Sequence, residues 1–391
     1  MTEAQIDHEM AARVAAFGET IFTPITRLAL KHEAVNLGQG FPDFDGPDFV
    51  KDAAIAAIHA GHNQYAPMPG IPELRAAIAD WFAAGGGLTV DPDDEVTVTT
   101  GCTEAIPATL LGLVNPGDEV IVFEPYYDSY RACLSLAGAT PRFVTLRPLE
   151  FRFDEDELRR AFSPRTRAII VNTPHNPTGR VYDRAELELI ASLCIEHDAL
   201  AVTDEVYERL VFDGRHIRLA SLPGMYERTV TLSSLGKTFS LTGWKIGWAI
   251  APPELTKGVR AAHQYLTFAT ATPFQHAAAA ALRAPQSYFD EYLAAYRRRR
   301  DLLVDGLKEI GFNVRPPAGT YFVLADHAPF GFEDDVTFCR HLIEHVGVAA
   351  IPPSAFYHDP ADGRSLVRFA FCQTEQTLTE ALDRMRTKLS R

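Results

Sequence analysis

Residues 229–248 read TVTLSSLGKTFSLTGWKIGW, and how this stretch is read decides the rest of the chain. TVTLSS (229–234) is a short run rich in β-branched residues and predicts a strand. Beyond it come Lys237 and, eight positions on, Lys245. Gly236-Lys237-Thr238 has the form of the end of a nucleotide phosphate loop. Such a loop needs a glycine five residues before its Gly-Lys pair, so that successive amides can wrap the phosphates. That position is Thr231, whose Cβ resists the turn, and the triphosphate cradle is set aside. The role of the two lysines must come from what the rest of the chain brings to them.

Similar runs lie upstream: VTVTT (96–100), EVIVFE (119–124), AIIVN (168–172) and LAVTDE (200–205). Helical stretches such as EAIPATLLGLV, SYRACLSLAG and RAELELIASLCIEH alternate with them. Continuous apolar strands between helices predict an α/β fold whose mostly parallel sheet is covered on both faces. Ligands of such sheets sit at the carboxyl ends of the strands, so polar residues just after each run carry the interest. The pattern changes near Gln275. Two long helical stretches follow, one ending in Arg297-Arg298-Arg299-Arg300, which reads as a solvated helix face. YFVLAD (321–326) and SLVRFAF (365–371) then flank a helix at 335–346, as in a smaller α+β domain. The expected division is an N-terminal arm joined to the small domain (1–45), a large domain (46–284) and a small C-terminal domain (285–391).

A chain of 391 residues exceeds what one core usually holds, in keeping with two domains. It is 47% hydrophobic and 23% charged, ordinary values for a soluble globular protein. A net charge of −14 argues against nucleic acid as a partner, because phosphate backbones attract basic surfaces. One local arginine can still hold an acidic substrate. The cysteines are Cys102, Cys133, Cys194, Cys339 and Cys372, an odd set without CxxC, which fits a reducing cytoplasm. MTEAQIDHEMAARVAAF at the start lacks the apolar core of a signal peptide. No uncharged apolar run approaches the ~18 residues that span a bilayer. HExxH, EF-hand, paired CxxC and G-x-S-x-G patterns are absent, so neither a metal site nor a serine hydrolase is expected.

Four polar positions stand out. Asp204 closes LAVTDE, where a buried carboxylate is costly unless it meets a cation or strong donor; capping a helix is the alternative. Asn176 sits in NTPHNPTG (172–179), a loop that Pro174 and Pro177 restrict, either as a turn residue or as an amide offered at the sheet edge. Gly101-Cys102-Thr103 joins a strand to a helix, and there glycine lets an anion approach the free amides, or Thr103 caps the helix. Arg368 lies among apolar residues in SLVRFAF and needs an acceptor, from an internal salt bridge or from a ligand.

Seven stretches in order carry a resemblance: NLGQGFPDFDGP (36–47), NQYAPMPGIPELR (63–75), EPYYDSY (124–130), TPHNPTG (173–179), TDEVYERLVFDG (203–214), SSLGKTFSLTGWKIGW (233–248) and LVRFAF (366–371). Together they resemble the class I aminotransferases of fold type I that use pyridoxal 5′-phosphate. Within that family the chain is most similar to the branch of kynurenine/glutamine transaminases, methionine aminotransferases and succinyldiaminopimelate aminotransferases.

The resemblance implies a role for each matching position. Lys237 would bond the cofactor aldehyde and serve as general base. Ser234, Lys245, Gly101 and the amides of Cys102 and Thr103 would hold the phosphate. Asp204 would pair with the pyridine nitrogen, Tyr207 and Asn176 with the ring oxygen, and Tyr127 would stack on the ring. Arg368 would clamp the substrate α-carboxylate, with Phe22 and Gly40 lining the substrate pocket and Asn176 beside it. Tyr65 would reach the phosphate of a second subunit, making the enzyme a homodimer. The implied reaction moves an amino group from an L-amino acid of methionine, glutamine or kynurenine type to a 2-oxo acid such as 2-oxoglutarate. Succinyldiaminopimelate, with Arg131 as a cation for its distal carboxylate, is the alternative donor, and β-lyase action on cysteine conjugates a side activity. One departure concerns substrate choice: where the kynurenine transaminases have a second glycine and an aromatic residue, this chain has Cys102-Thr103. That exchange, with Phe22 and Phe268 as apolar walls, is expected to leave room at the side-chain end of the pocket.

Overall fold

The computed structural model describes residues 10–15, 17–86 and 88–389. An N-terminal arm contains the helix Phe22–Lys31 and a two-residue strand, Val35–Asn36 (β1). The main sheet is built from Val96–Thr100 (β2), Glu119–Glu124 (β3), Thr140–Thr145 (β4), Thr166–Asn172 (β5), Leu200–Asp204 (β6), Thr229–Ser234 (β7) and Ile246–Ile250 (β8). Its order is β2-β8-β7-β6-β5-β3-β4. β3, β5, β6 and β7 are buried along almost their whole length, as strands covered on both faces by helices must be.

Pairing is parallel from β4 through β3, β5 and β6 to β7, whereas β8 runs antiparallel to both β7 and β2. The reversal has a direct consequence for the site. It brings the start of β8 to the edge where β2 and β7 end: Thr100 pairs with Ile246 and Ser234 with Gly247. On the same edge Asn172 of β5 pairs with Asp204 of β6. Gly247 is needed for this approach, because a Cβ there would lie 2.5 Å from the backbone nitrogen of Cys102.

The C-terminal part holds Asn313–Val314 (β9), Phe322–Asp326 (β10), Val348–Ala349 (β11) and Leu366–Ala370 (β12). β9, β10 and β12 form an antiparallel sheet, and β11 pairs in parallel with β1 of the arm. Ile25 and Ala29 of the arm share an apolar cluster with Ile343, Ala349, Ile351 and Phe356. Between the sheets runs the 25-residue helix Gln286–Ile310. Its arginine run is not a solvated face. Arg298 alone of the four is exposed; Arg300 is buried against Asp213 at 2.7 Å, Arg297 donates to the Phe212 carbonyl, and Arg299 lies over the Phe44 ring. The four side chains point around the helix, so three of them are at least partly buried, and the exposed Arg298 still pairs with Glu375 at 3.3 Å.

All five cysteines are free and buried. Among the described residues no helix is long and apolar enough to cross a membrane.

Candidate active site

Strand ends β2, β5, β6 and β7 and the start of β8 surround a cavity of about 190 Å³. Gly101, Cys102, Thr103, Tyr127, Asn176, Asp204, Tyr207, Ser234, Lys237 and Lys245 all line it. A second cavity, also about 190 Å³, is lined by Phe22, Gly40, Phe322, Phe356 and Arg368. Tyr127, Asn176, Tyr207 and Lys237 are walls of both, so the two form adjoining compartments.

One end of the first compartment is built for an anion. Gly101 has φ of 71°, a conformation glycine takes without strain, and the helix Cys102–Leu113 that follows has no side-chain cap. The Glu104 and Ala105 amides bond the Gly101 carbonyl, which leaves those of Cys102 and Thr103 without a backbone acceptor, and the helix dipole is positive at this end. Lys245, itself at φ 55°, extends Nζ to the Thr103 hydroxyl at 2.8 Å. Ser234 ends β7 beside them.

At the other end lies Asp204. Its carboxylate accepts from the Tyr130 hydroxyl at 2.7 Å and from the Val206 amide at 3.3 Å, and burial raises its pKa above the usual carboxylate range. It ends β6 and leads into a turn rather than capping a helix. Asn172 bridges the strand ends, donating to the Asp204 carbonyl at 2.8 Å and accepting the Asn176 amide at 2.6 Å. The side-chain oxygen of Asn176 is buried without a partner. An orphaned acceptor of this kind is expensive unless a ligand donates to it.

Lys237 stands between the compartments, on the one-turn helix Leu235–Thr238. Nζ donates to the Tyr321 hydroxyl at 2.9 Å and faces the Gly40 carbonyl at 3.4 Å. Burial lowers its pKa from 10.5 to about 8, which leaves a neutral, nucleophilic amine accessible near neutral pH. The Lys237 carbonyl accepts from the Tyr292 hydroxyl at 2.6 Å, so the long helix Gln286–Ile310 fixes the backbone that carries the amine.

Arg368, on β12, is the cation of the second compartment. It is 2% exposed, donates to the Gly38 carbonyl at 2.9 Å, and has Phe322, Phe356 and Phe22 rings within 5.3 Å of its Cζ. Its Nε is buried without a partner, and no carboxylate pairs with it among the described residues. Burial lowers its pKa to about 10. The internal salt bridge open to it on sequence grounds is not made, and the guanidinium is left to receive an anion from outside.

Two expectations about the side-chain end of the pocket, those for Cys102-Thr103 and for Phe268, need correction. Cys102 and Thr103 face the anion end of the first compartment, not the side-chain end of the second, because they open the helix that follows β2. Thr103 spends its hydroxyl on Lys245. Phe268 is 42% exposed and packs edge-on against Tyr65, away from Arg368. Tyr65 itself is 88% exposed and lies outside both compartments of its own chain. Conversely, Tyr130, Asn172, Tyr292 and Tyr321 meet the functional groups and were not read from sequence. Tyr288, Tyr292 and Tyr296 recur every fourth residue, which marks one helix face but not its destination.

Comparison with known proteins gives this geometry a family. The sequence pattern of "Aminotransferase class I and II" matches residues 32–385. A probable N-succinyldiaminopimelate aminotransferase of Mycobacterium tuberculosis is 50% identical over 386 residues, covering 96% of this chain and 97% of that protein. The methionine aminotransferase of Escherichia coli is 42% identical over 376 residues, covering 96% and 97%. Among solved structures, N-succinyldiaminopimelate aminotransferase from M. tuberculosis superposes with a TM-score of 0.94 at 50% identity, covering 97% of this chain and all of that one. Matched over most of its length by the family pattern and by relatives at 42–50% identity, the chain belongs to the class I and II aminotransferases.

Proposed function

We propose that this aminotransferase works with pyridoxal 5′-phosphate and moves the amino group of an L-amino acid of methionine, glutamine or kynurenine type to a 2-oxo acid such as 2-oxoglutarate. Features of the first compartment support the cofactor. The uncapped helix start with Lys245 suits a phosphate, and the partnerless Asn176 oxygen suits a ring hydroxyl. Asp204, lacking a contacting cation, suits a protonated ring nitrogen, whose charge would favour the ionised carboxylate against the upward push of burial. Bound there, the cofactor supplies an electron-withdrawing ring that accepts the electron pair left when a substrate Cα–H bond breaks.

The chain's own residues do the rest. Arg368 fixes the α-carboxylate in a bidentate fork, because a planar guanidinium in an apolar pocket has no competing anion. That orients Cα toward Lys237. The amine, kept low in pKa by burial, takes the proton from the substrate Cα and holds it at Nζ. Aromatic walls exclude water while the charge is exposed. The observation that carries the reading is the buried, unpaired Arg368 sharing a compartment with Lys237. A second copy of the chain would cover the exposed Tyr65–Phe268 edge and bring Tyr65 to the partner's phosphate end. Five free thiols suit a reducing cytoplasm.

Donor choice rests on the walls of the second compartment. Phe22, Phe322 and Phe356 favour a flexible apolar side chain, and one methylene of such contact discriminates by only ~1–3 kcal/mol, so several donors should turn over. A succinylated diaminopimelate donor is the second reading. It is supported by the 50% identical relative and by Arg131, which lines a wider cleft of about 630 Å³ sharing Tyr126, Tyr127 and Phe356 with the Arg368 compartment. The test is kcat/KM for methionine, glutamine, kynurenine and N-succinyl-diaminopimelate with 2-oxoglutarate, in wild type and Arg131→Ala. Methionine or glutamine turnover that survives Arg131→Ala supports the broad enzyme. Negligible methionine turnover, together with succinylated-donor turnover that Arg131→Ala removes, supports the second reading and sinks the first.

A further inference from the structure

Tyr321 makes a contact to the catalytic amine that no family motif quoted above contains. It precedes β10, is fully buried, and is locked by rings on several sides: Tyr207 edge-on at 5.2 Å, Tyr296 stacked at 6.1 Å and Phe322 at 4.8 Å. Its backbone carbonyl accepts the Phe371 amide at 2.9 Å, tying it to the end of β12. The ring therefore has one orientation. Its hydroxyl donates to the Gly40 carbonyl at 2.6 Å, so a lone pair remains, and Lys237 Nζ donates to it at 2.9 Å. A second N–H of the amine faces the same Gly40 carbonyl at 3.4 Å.

Counting valences at Nζ gives the direction of its reactivity. One tetrahedral position is Cε, and two are N–H groups held by the Tyr321 and Gly40 oxygens. The fourth is the lone pair of the neutral amine. We infer that Tyr321, together with the Gly40 carbonyl, is a positioning dock for the free Lys237 amine: it occupies the amine's protons so that its lone pair faces the substrate α-proton. The inference rests on Lys237 being the proton-transfer base. In the step it serves, the α-proton bonds to Nζ while the C–H electron pair stays with the substrate–cofactor system. The dock draws on three distant parts of the chain, the arm through Gly40, the main sheet through Lys237 and the C-terminal sheet through Tyr321. Besides these oxygens, the titratable or charged groups facing Lys237 are Asp204, Cys372, Lys245, Arg368 and the Tyr207 ring.

Tyr321→Phe removes only the hydroxyl and keeps the ring. Tyr296→Phe, which removes a buried hydroxyl from the stacked neighbour, is the control. In cofactor-free protein, trace labelling of Lys237 with acetic anhydride as a function of pH reads its proton affinity directly. Wild type and Tyr296→Phe should reach half labelling at about 8. Tyr321→Phe should reach it at pH ~7 or below, because the ammonium loses an acceptor. In the loaded enzyme Tyr321→Phe should lower kcat by about ten- to a hundredfold and raise the isotope effect from substrate α-deuterium, with KM little changed. A Tyr321→Phe labelling curve that superimposes on wild type overturns the dock, and so does an unchanged kcat and isotope effect. Lys237→Ala separates the two levels: if that variant still turns over, the assignment of the base has failed, whereas an inactive Lys237→Ala beside a fully active Tyr321→Phe sinks the dock alone.

Discussion

Asp204 shows how a single residue can be named from sequence while its working state depends on neighbours that sequence does not reveal. A carboxylate closing a buried strand pointed to a cationic partner, and its place at the end of β6 is as read. What sequence did not give is that Tyr130, 74 residues upstream, donates to it at 2.7 Å, or that burial pushes its pKa up in the absence of a cation. An amide at this position can accept from Tyr130 but cannot hold a ring-nitrogen proton. Asp204→Asn should therefore keep the fold and the borohydride-fixable bond between Lys237 and the cofactor, yet lose about a hundred- to a thousandfold in kcat. Stopped-flow rates of each half-reaction provide the check, and turnover near wild type would remove Asp204 from the role. Arg368 was legible for a similar reason, since a charged side chain among apolar strand residues demands an explanation, whereas Lys237 was legible only through the resemblance that SSLGKTFSLTGWKIGW carries. Tyr321 was not, because a tyrosine in YFVLAD fits a strand as ordinary core.

At the scale of elements, strands with unbroken β-branched runs declared themselves, and β2, β3 and β7 begin and end where the residues say. β4 escaped because it is a half-exposed edge strand containing Pro141 and Arg142. The reversal of β8 escaped because IGWAI is as apolar as a parallel strand, and direction is set by the short connection after Lys237, not by composition. The turn after β6 has its own anchor. Glu205 and Glu208 both pair with Arg218, which is 4% exposed; His216 also contacts Glu205, and Trp81 donates to Glu208 at 2.7 Å. Two buried carboxylates on one guanidinium make that arginine indispensable. Arg218→Met should cost about 3–5 kcal/mol by urea unfolding, because it strands both charges. Since the turn joins Asp204 to Leu210 and itself carries Tyr207, cofactor retention should weaken with it. A loss under ~1 kcal/mol would mean that His216 and solvent suffice to hold the acids.

For the whole molecule, the two compartments join regions far apart in sequence, and one chain leaves Tyr65 at the surface. If Tyr65 serves a second copy, mixing Tyr65→Phe and Lys237→Ala chains should produce heterodimers in which one site carries both defects and the other neither. Activity should then rise above that of either parent. Absence of recovery, with heterodimers confirmed by native mass, would place Tyr65 elsewhere. The arm poses a different matter, one of timing. Phe22 and Gly40 complete the second compartment only when β1 has found β11, and β11 is encoded roughly 300 residues later. At ~5–20 residues per second, a ribosome takes about 15–60 s to supply that partner. During that interval Ile25 and Ala29, both buried in the finished protein, lack Ile343, Ala349, Ile351 and Phe356, with which they share a cluster. Residues 22–36 are thus made long before the strand they settle against, and the nascent chain must carry that apolar segment uncovered until β11 is made.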